Sequence, residues 1–93
     1  MYKVNEYYNG RVKSISLQSP EGPMTIGVMA EGEYEFNTSS QEYMTVTSGE
    51  MKVLLPDSKE WQIFKEFETF IVDKNSSFKV VVEKDTTYRC LYK

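Results

Sequence analysis

The sequence predicts a single all-β domain, arranged as a small sandwich or barrel. Short runs of alternating apolar and polar residues recur along all 93 residues, turn-forming residues separate these runs, and no stretch has the length and periodicity of a long amphipathic helix. The length fits one domain, near the lower end of what folds on one hydrophobic core. Residues 1–93 are therefore expected to fold as one unit.

Turn-forming residues divide the chain into short predicted strands. Asn9-Gly10 marks the first turn, and the loop 19–23 is expected to lie outside any ladder because it holds two prolines and a glycine. Ser48-Gly49 predicts a tight hairpin between its flanking strands. The predicted strands are 11–17, 24–28, 33–36, 43–47, 51–55, 78–83 and 86–92, with a turn at 84–85 between the last two.

Residues 57–72 permit two interpretations. Residues 57–60 resemble a helix capping box, and aromatic residues spaced by three from Trp61 favour a short helix. The run 69–72 is β-branched and aromatic, which favours a strand. Both interpretations stay open on the residues alone.

The composition excludes several classes of partner. The net charge of −3 provides no basic surface for nucleic acid or an anionic membrane. No apolar run resembles a signal peptide or reaches the roughly 18 residues of a transmembrane helix. The single cysteine, Cys90, rules out an intramolecular disulfide and fits a reducing compartment. We expect a cytoplasmic protein that binds neither polymeric nucleic acid nor a membrane.

Histidine is absent from the sequence. Its absence removes the commonest general base, the histidine-activated serine and cysteine nucleophiles, and the usual nitrogen ligand of zinc, copper and iron. Any catalysis must therefore use other groups. Because no histidine can activate Cys90, we expect that residue to be a small member of the core.

Polar residues in the middle of the chain follow the spacing of a metal-binding motif without its histidines. The first cupin motif resembles G-x5-H-x-H-x(3,4)-E-x6-G. Its last part is present as Glu42 and Gly49, and Glu35 and Asn37 stand in the two histidine positions. In the matching register of the second cupin motif, the ligand histidine is replaced by Phe78. At most three oxygen ligands remain, so we expect no metal.

Several short runs, spread over essentially the whole chain, resemble one family of small bacterial cupins, the pyrimidine/purine nucleoside phosphorylases. The chain departs from that family where its members carry a Gly at Phe67, and a Pro and a Gly at Asp73 and Lys74. The similar runs are 5–7, 12–15, 27–29, 31–34, 44–49, 53–57, Trp61-Gln62 and Tyr88-x-Cys90-x-Tyr92.

The resemblance implies a cupin-like β-barrel of the jelly-roll type over residues 1–93. It also implies a pentosyltransferase that splits purine and pyrimidine nucleosides with inorganic phosphate into free base and pentose 1-phosphate, with broad base specificity. A homodimer, no cofactor and no metal requirement are further implications. The resemblance favours turn and strand over helix around Trp61.

Candidate site residues follow from the chemistry of phosphorolysis, which passes through an oxocarbenium-like state. Glu35 and Glu42 are the candidate catalytic carboxylates. Glu33 and Asn37 are candidates for binding the sugar hydroxyls, and Phe78 for the wall of the substrate site. Strand alternation places Glu33, Glu35 and Asn37 on one face and the aromatic residues between them on the other. The residues alone do not decide which face points inward.

The anionic phosphate calls for a cation or for backbone N–H groups. Lys13 and Arg89 are the candidate cations, although solvent exposure is the commoner situation for such side chains. Two other functions stay open beside the enzyme. One is a non-catalytic cupin module that binds a small polar ligand, and the other is a purely structural dimeric domain.

Overall fold

Two antiparallel sheets form the protein in a computed structural model that describes residues 1–93. All ten regular elements are strands, which confirms the all-β prediction. They are β1 (Val4–Tyr7), β2 (Val12–Ser19), β3 (Gly22–Met29), β4 (Gly32–Asn37), β5 (Glu42–Ser48), β6 (Met51–Leu54), β7 (Gln62–Phe64), β8 (Thr69–Val72), β9 (Ser77–Val82) and β10 (Thr86–Tyr92).

The larger sheet has the strand order β1-β2-β3-β10-β5-β8, and the smaller sheet has the order β4-β9-β6-β7. The chain crosses from one sheet to the other at six connections, and only the β1–β2, β2–β3 and β6–β7 connections stay within one sheet. This path is that of a jelly roll, as the resemblance implied. The two sheets face each other but are not joined into one closed ring of hydrogen bonds.

The core lies between the sheets and follows the period of two that strand geometry imposes. On β9, Phe78, Val80 and Val82 are buried. Buried residues of the larger sheet meet them from the other side, among them Met44 and Val46 of β5. This alternation decides that Tyr34 of β4 points inward, because Tyr34 is buried whereas Glu33 and Glu35 are exposed.

The predicted hairpin at Ser48-Gly49 is wrong. β5 pairs with β8 and β10, whereas β6 pairs with β7 and β9, so the turn carries the chain from one sheet to the other. Gly49 has a φ of +87°, and a Cβ at this residue would lie 2.6 Å from Thr86 Oγ1. The glycine therefore allows the backbone to pass close to the start of β10, and it does not form a hairpin turn.

The predicted loop 19–23 is also too long, because its last two residues belong to a strand. β3 begins at Gly22, and Gly22 and Pro23 pair with Ser19 and Gln18 of β2. Only residues 20 and 21 form the turn. The Ser19 hydroxyl donates to the Gly22 carbonyl at 2.8 Å and accepts from the Glu21 N–H at 3.1 Å, which fixes a tight turn. Pro23 is tolerated because it stands at the beginning of its strand.

The stretch after Trp61 is turn and strand, so the helical interpretation is wrong. β7 pairs with β6, and Phe64 packs on Phe70 with ring centroids 4.8 Å apart. Phe67 follows with a left-handed φ of +68° and is 74% exposed. A left-handed conformation costs a residue with a Cβ about 1–2 kcal/mol, and the exposed ring recovers little of this through contacts.

We predict that Phe67→Gly stabilises the protein by about 0.5–1 kcal/mol, because the strain removed exceeds the backbone entropy that glycine adds to the unfolded chain. Urea unfolding measures the free energy of unfolding. Ile63→Gly is the matched control, since Ile63 is 56% exposed and lies outside the left-handed region. The control is expected to be destabilising. A loss of stability in Phe67→Gly would contradict the strain argument.

Candidate active site

A cavity of about 450 Å³ lies between the two sheets. Its lining includes Glu35, Asn37, Glu42 and Phe78, which are the four positions aligned with the metal ligands of the cupin motifs. The structure thus brings together residues that are far apart in sequence. Nine of the 13 residues that line the cavity are hydrophobic or aromatic, and four of these are tyrosines, whose hydroxyl groups add to the polar part of the lining.

Strand register assembles the polar side of the cavity on the larger sheet. β5 and β10 are antiparallel neighbours, and their register sets Glu42 beside Tyr92 and Met44 beside Cys90. All four of these residues line the cavity. The Cys90 thiol donates to the Glu42 carboxylate, with 3.5 Å between Sγ and Oε1. Cys90 is buried, as expected of a core residue, yet it also touches the site.

Burial raises the pKa of the Glu42 carboxyl above its ordinary value. The hydrogen bond from Cys90 lowers this pKa and offsets only part of the effect. The neutral, protonated form of Glu42 therefore persists to higher pH than for an ordinary glutamate. A carboxyl group held in this state can donate a proton to a ligand in the cavity.

Tyr88 reaches across a gap that a glycine leaves in the next strand. Gly27 lies opposite Tyr88 in the ladder, and a Cβ on Gly27 would lie 2.4 Å from the ring carbon Cζ of Tyr88. Ser14, which lines the same cavity, accepts a hydrogen bond from Asn5 Nδ2 at 3.1 Å. Burial, with a smaller contribution from Cys90, raises the pKa of Tyr88 to about 12, so its phenol stays neutral.

Aromatic rings form the opposite wall of the cavity. Tyr7 meets Phe36 edge-on with centroids 6.5 Å apart, and Phe36 lies 5.6 Å from Phe78. Tyr8 holds this wall to the β1–β2 turn, because its hydroxyl accepts from the Glu35 N–H at 3.0 Å and donates to the Glu35 carbonyl. Flat apolar faces of this kind suit a planar ligand.

The predicted site residues divide into two groups. Glu35, Asn37, Glu42 and Phe78 line the cavity. Glu33 is exposed and does not line it. Lys13 and Arg89 lie on the exposed outer face of the larger sheet, where Lys13 pairs with Glu6 at 3.5 Å and Arg89 with Glu21 at 4.0 Å.

Four cavity tyrosines were missed as site residues by sequence reasoning: Tyr7, Tyr8, Tyr88 and Tyr92. The available signal was the alternation Tyr88-x-Cys90-x-Tyr92, which places three side chains on one face of a strand. That signal does not distinguish a core face from a cavity wall. The contribution of the β1–β2 turn depends on tertiary contacts that no local pattern encodes.

The cavity does not fit the metal that a cupin fold implies. Phe78 has no donor atom, Asn37 is an amide, and no group of three or more His, Cys, Asp or Glu residues is arranged to hold a metal ion. A set of this kind gives too few strong ligands for a divalent cation.

The structure also contains no helix that is long and apolar enough to cross a bilayer.

Comparison with solved structures shows that the fold is cupin-like. An RmlC-like cupin from Shewanella frigidimarina, 15% identical, has a TM-score of 0.72 and matches over 97% of this chain and 81% of that chain, which is a likeness of fold alone. A Vibrio parahaemolyticus protein of unknown function is closer, with 37% identity and a TM-score of 0.92 over 97% of this chain and 96% of that one.

Sequence comparison identifies the family within this class. A sequence profile described as pyrimidine/purine nucleoside phosphorylase matches residues 2–92. A protein of that name from Pseudomonas fluorescens is 54% identical over 100% of this chain and 99% of its own length. Another from Alcanivorax borkumensis is 53% identical over 99% of this chain and 98% of its own. The chain belongs to the pyrimidine/purine nucleoside phosphorylase family.

We predict that Gly27→Ala lowers the free energy of unfolding by about 1–3 kcal/mol, because the added methyl group overlaps the Tyr88 ring. The double variant Gly27→Ala/Tyr88→Leu tests the cause, since it removes the ring that the methyl group meets. Its loss of stability should be smaller than the sum of the two single losses, as measured by urea unfolding in a double-mutant cycle. Strict additivity would show that Gly27 is not there to admit Tyr88.

Proposed function

We propose that the protein is a metal-independent nucleoside phosphorylase. It cleaves purine and pyrimidine nucleosides with inorganic phosphate and releases the free base and pentose 1-phosphate. Family membership supports the general activity. The observation that carries the proposal is the carboxyl group of Glu42, which is held with a raised pKa in an aromatic-walled cavity.

Glu42 supplies the proton that the departing base requires. In the transition state the bond between the anomeric carbon and the base nitrogen breaks, and its electron pair leaves with the base while positive charge builds on the sugar. Protonation of the base by the neutral Glu42 carboxyl lowers the cost of this step. A phosphate oxygen forms the new bond to the anomeric carbon as the bond to the base breaks, and Glu42 is left as a carboxylate.

Broad base specificity follows from recognition of the base by its flat face. Phe36, Phe78 and Tyr7 supply ring surfaces in the cavity, and stacking on such surfaces does not depend on the pattern of donors and acceptors at the base edge. Purines and pyrimidines are thus both accepted. The lining of the cavity includes no Lys, Arg or Asp side chain that would select one edge pattern.

Glu35 and Asn37 border the same cavity, although both lie on the exposed face of β4, opposite the buried Tyr34. We assign them contacts with the sugar hydroxyls, because the oxygens of a carboxylate and an amide can accept hydrogen bonds from hydroxyl groups. Glu35 is therefore a binding residue in this proposal, and Glu42 carries the proton transfer. Glu33, Lys13 and Arg89 receive no substrate contact because none of them lines the cavity.

The proposal includes a homodimer in the cytoplasm. The outer face of the larger sheet carries exposed apolar side chains on neighbouring strands, with Val4 opposite Ile15 and Ile15 opposite Ile26. A second copy seated on this row would remove it from water. Sedimentation of the full chain distinguishes the dimer from a monomer. A monomer would contradict this part of the proposal.

The activity is tested by incubating the protein with uridine, adenosine and inosine, with and without phosphate, in the presence of a chelator. Release of the base that depends on phosphate and survives the chelator is the expected result. Tight nucleoside binding without cleavage would instead support the non-catalytic binding module. Stimulation by a divalent metal would contradict metal independence.

We predict that Glu42→Gln lowers kcat by at least about a hundredfold, because the amide cannot donate the proton of a carboxylic acid. Glu33→Gln is the matched control at a carboxylate outside the cavity, and it should keep the wild-type kcat. Glu35→Gln should raise KM for the nucleoside severalfold with little change in kcat. Full activity in a folded Glu42→Gln variant would remove Glu42 from the mechanism.

A further inference from the structure

A second cavity of about 350 Å³ adjoins the first on the larger sheet. Its lining comes mainly from β1, β2 and β3, and Tyr7 and Tyr92 line both cavities. A ligand in the second cavity would therefore share two side-chain contacts with a ligand in the first. The proton transfer by Glu42 makes no use of this space.

Neutral hydrogen-bond donors dominate the polar lining of the second cavity, and no carboxylate contributes to it. Asn5 Nδ2 donates to Ser16 Oγ at 2.9 Å, so the Ser16 hydroxyl keeps its own proton for another acceptor. Thr25 Oγ1 and Tyr92 Oη lie 3.1 Å apart. Only one of their two protons can lie between these oxygens, so the pair also retains a proton to donate.

An inorganic phosphate ion is the ligand that fits such a lining, because its ionised oxygens accept hydrogen bonds. The first cavity is less suitable for the anion. It contains Glu42, whose ionised form repels phosphate, whereas the second cavity has no acidic group in its lining. The two cavities therefore differ in the charge of ligand that each tolerates.

Lys3 is placed to supply the positive charge. Its main-chain carbonyl accepts from the Ser16 N–H at 2.9 Å, which sets Lys3 opposite Ser16 and one residue before β1. Asn5 and Tyr7 line the second cavity, and strand alternation puts Lys3 on the same face as these two residues. Lys13 lies on the opposite face, where it pairs with Glu6.

We propose that the second cavity is the phosphate subsite, with Ser16 and Thr25 as hydrogen-bond donors and Lys3 as the cation at its mouth. This inference rests on the proposed function and adds to it a division of labour. The nucleoside occupies the first cavity and phosphate the second. The two substrates meet at the shared residues Tyr7 and Tyr92, where a phosphate oxygen attacks the anomeric carbon as the bond to the base breaks.

Binding of inorganic phosphate to the full chain without nucleoside tests the subsite directly, by isothermal titration calorimetry. We expect Lys3→Met and Thr25→Val each to weaken binding roughly tenfold, the effect of losing one interaction with a charged group. Thr25→Ser, which keeps the hydroxyl, should bind as the wild type does. Lys13→Met and Thr45→Val are the matched controls, because both residues lie outside the two cavities.

Thr45→Val removes a hydroxyl that hydrogen-bonds with Thr69 at 2.7 Å, so it reproduces the chemical change of Thr25→Val elsewhere on the sheet. Equal phosphate affinity in all variants, or no measurable phosphate binding by the wild type, would overturn the inference. So would weakening of equal size in both control variants.

Kinetics separate this inference from the proposed function. Lys3→Met and Thr25→Val should raise KM for phosphate about tenfold and leave KM for the nucleoside within about twofold. A protein that binds phosphate through Lys3 and Thr25 but cleaves no nucleoside would keep the subsite and refute the phosphorylase. Cleavage with an unchanged KM for phosphate in both variants would refute the subsite alone.

Discussion

Burial of the Glu42 carboxyl between two sheets is the constraint on which the proposed chemistry of this protein depends. Its surroundings disfavour the charged form, and the thiol of Cys90 compensates only in part. The folded-state pKa lies above the unfolded value, so this group stabilises the fold at low pH, and that contribution is lost as the pH rises through the folded pKa. Burial of this carboxyl group therefore costs the fold free energy at neutral pH, and an apolar side chain at this position would not have that cost.

The neighbouring strands keep this carboxyl in place by leaving room for large side chains around it. Gly27 admits the ring of Tyr88, and Ser14 on the neighbouring strand accepts a hydrogen bond from Asn5 Nδ2. Asn5 connects that serine to Ser16 at the edge of the second cavity. Hydrogen bonds thus connect Ser14 in the first cavity with Ser16 in the second, and they use neutral groups that stay in one protonation state over the working pH range.

Sequence reasoning was strongest where burial follows a local period. The alternation in 86–92 predicted β10 at its observed bounds, and the cupin spacing brought Glu42 and Phe78 into one cavity. It was weakest for pairing between strands. The turn at Gly49 has the residues of a hairpin, yet β5 and β6 pair with different neighbours because partners distant in sequence compete for their edges. The placement of Lys3 opposite Ser16 likewise depends on pairing between β1 and β2 that no local pattern encodes.

The most direct test of this account is the titration of the Glu42 side chain, followed by carbon NMR of the labelled carboxyl group and compared with the pH dependence of kcat. The account predicts a pKa above the ordinary glutamate value of about 4.3, together with a fall of kcat as the pH rises through that same pKa. An ordinary pKa for Glu42, or a kcat that is indifferent to its ionisation, would contradict the account.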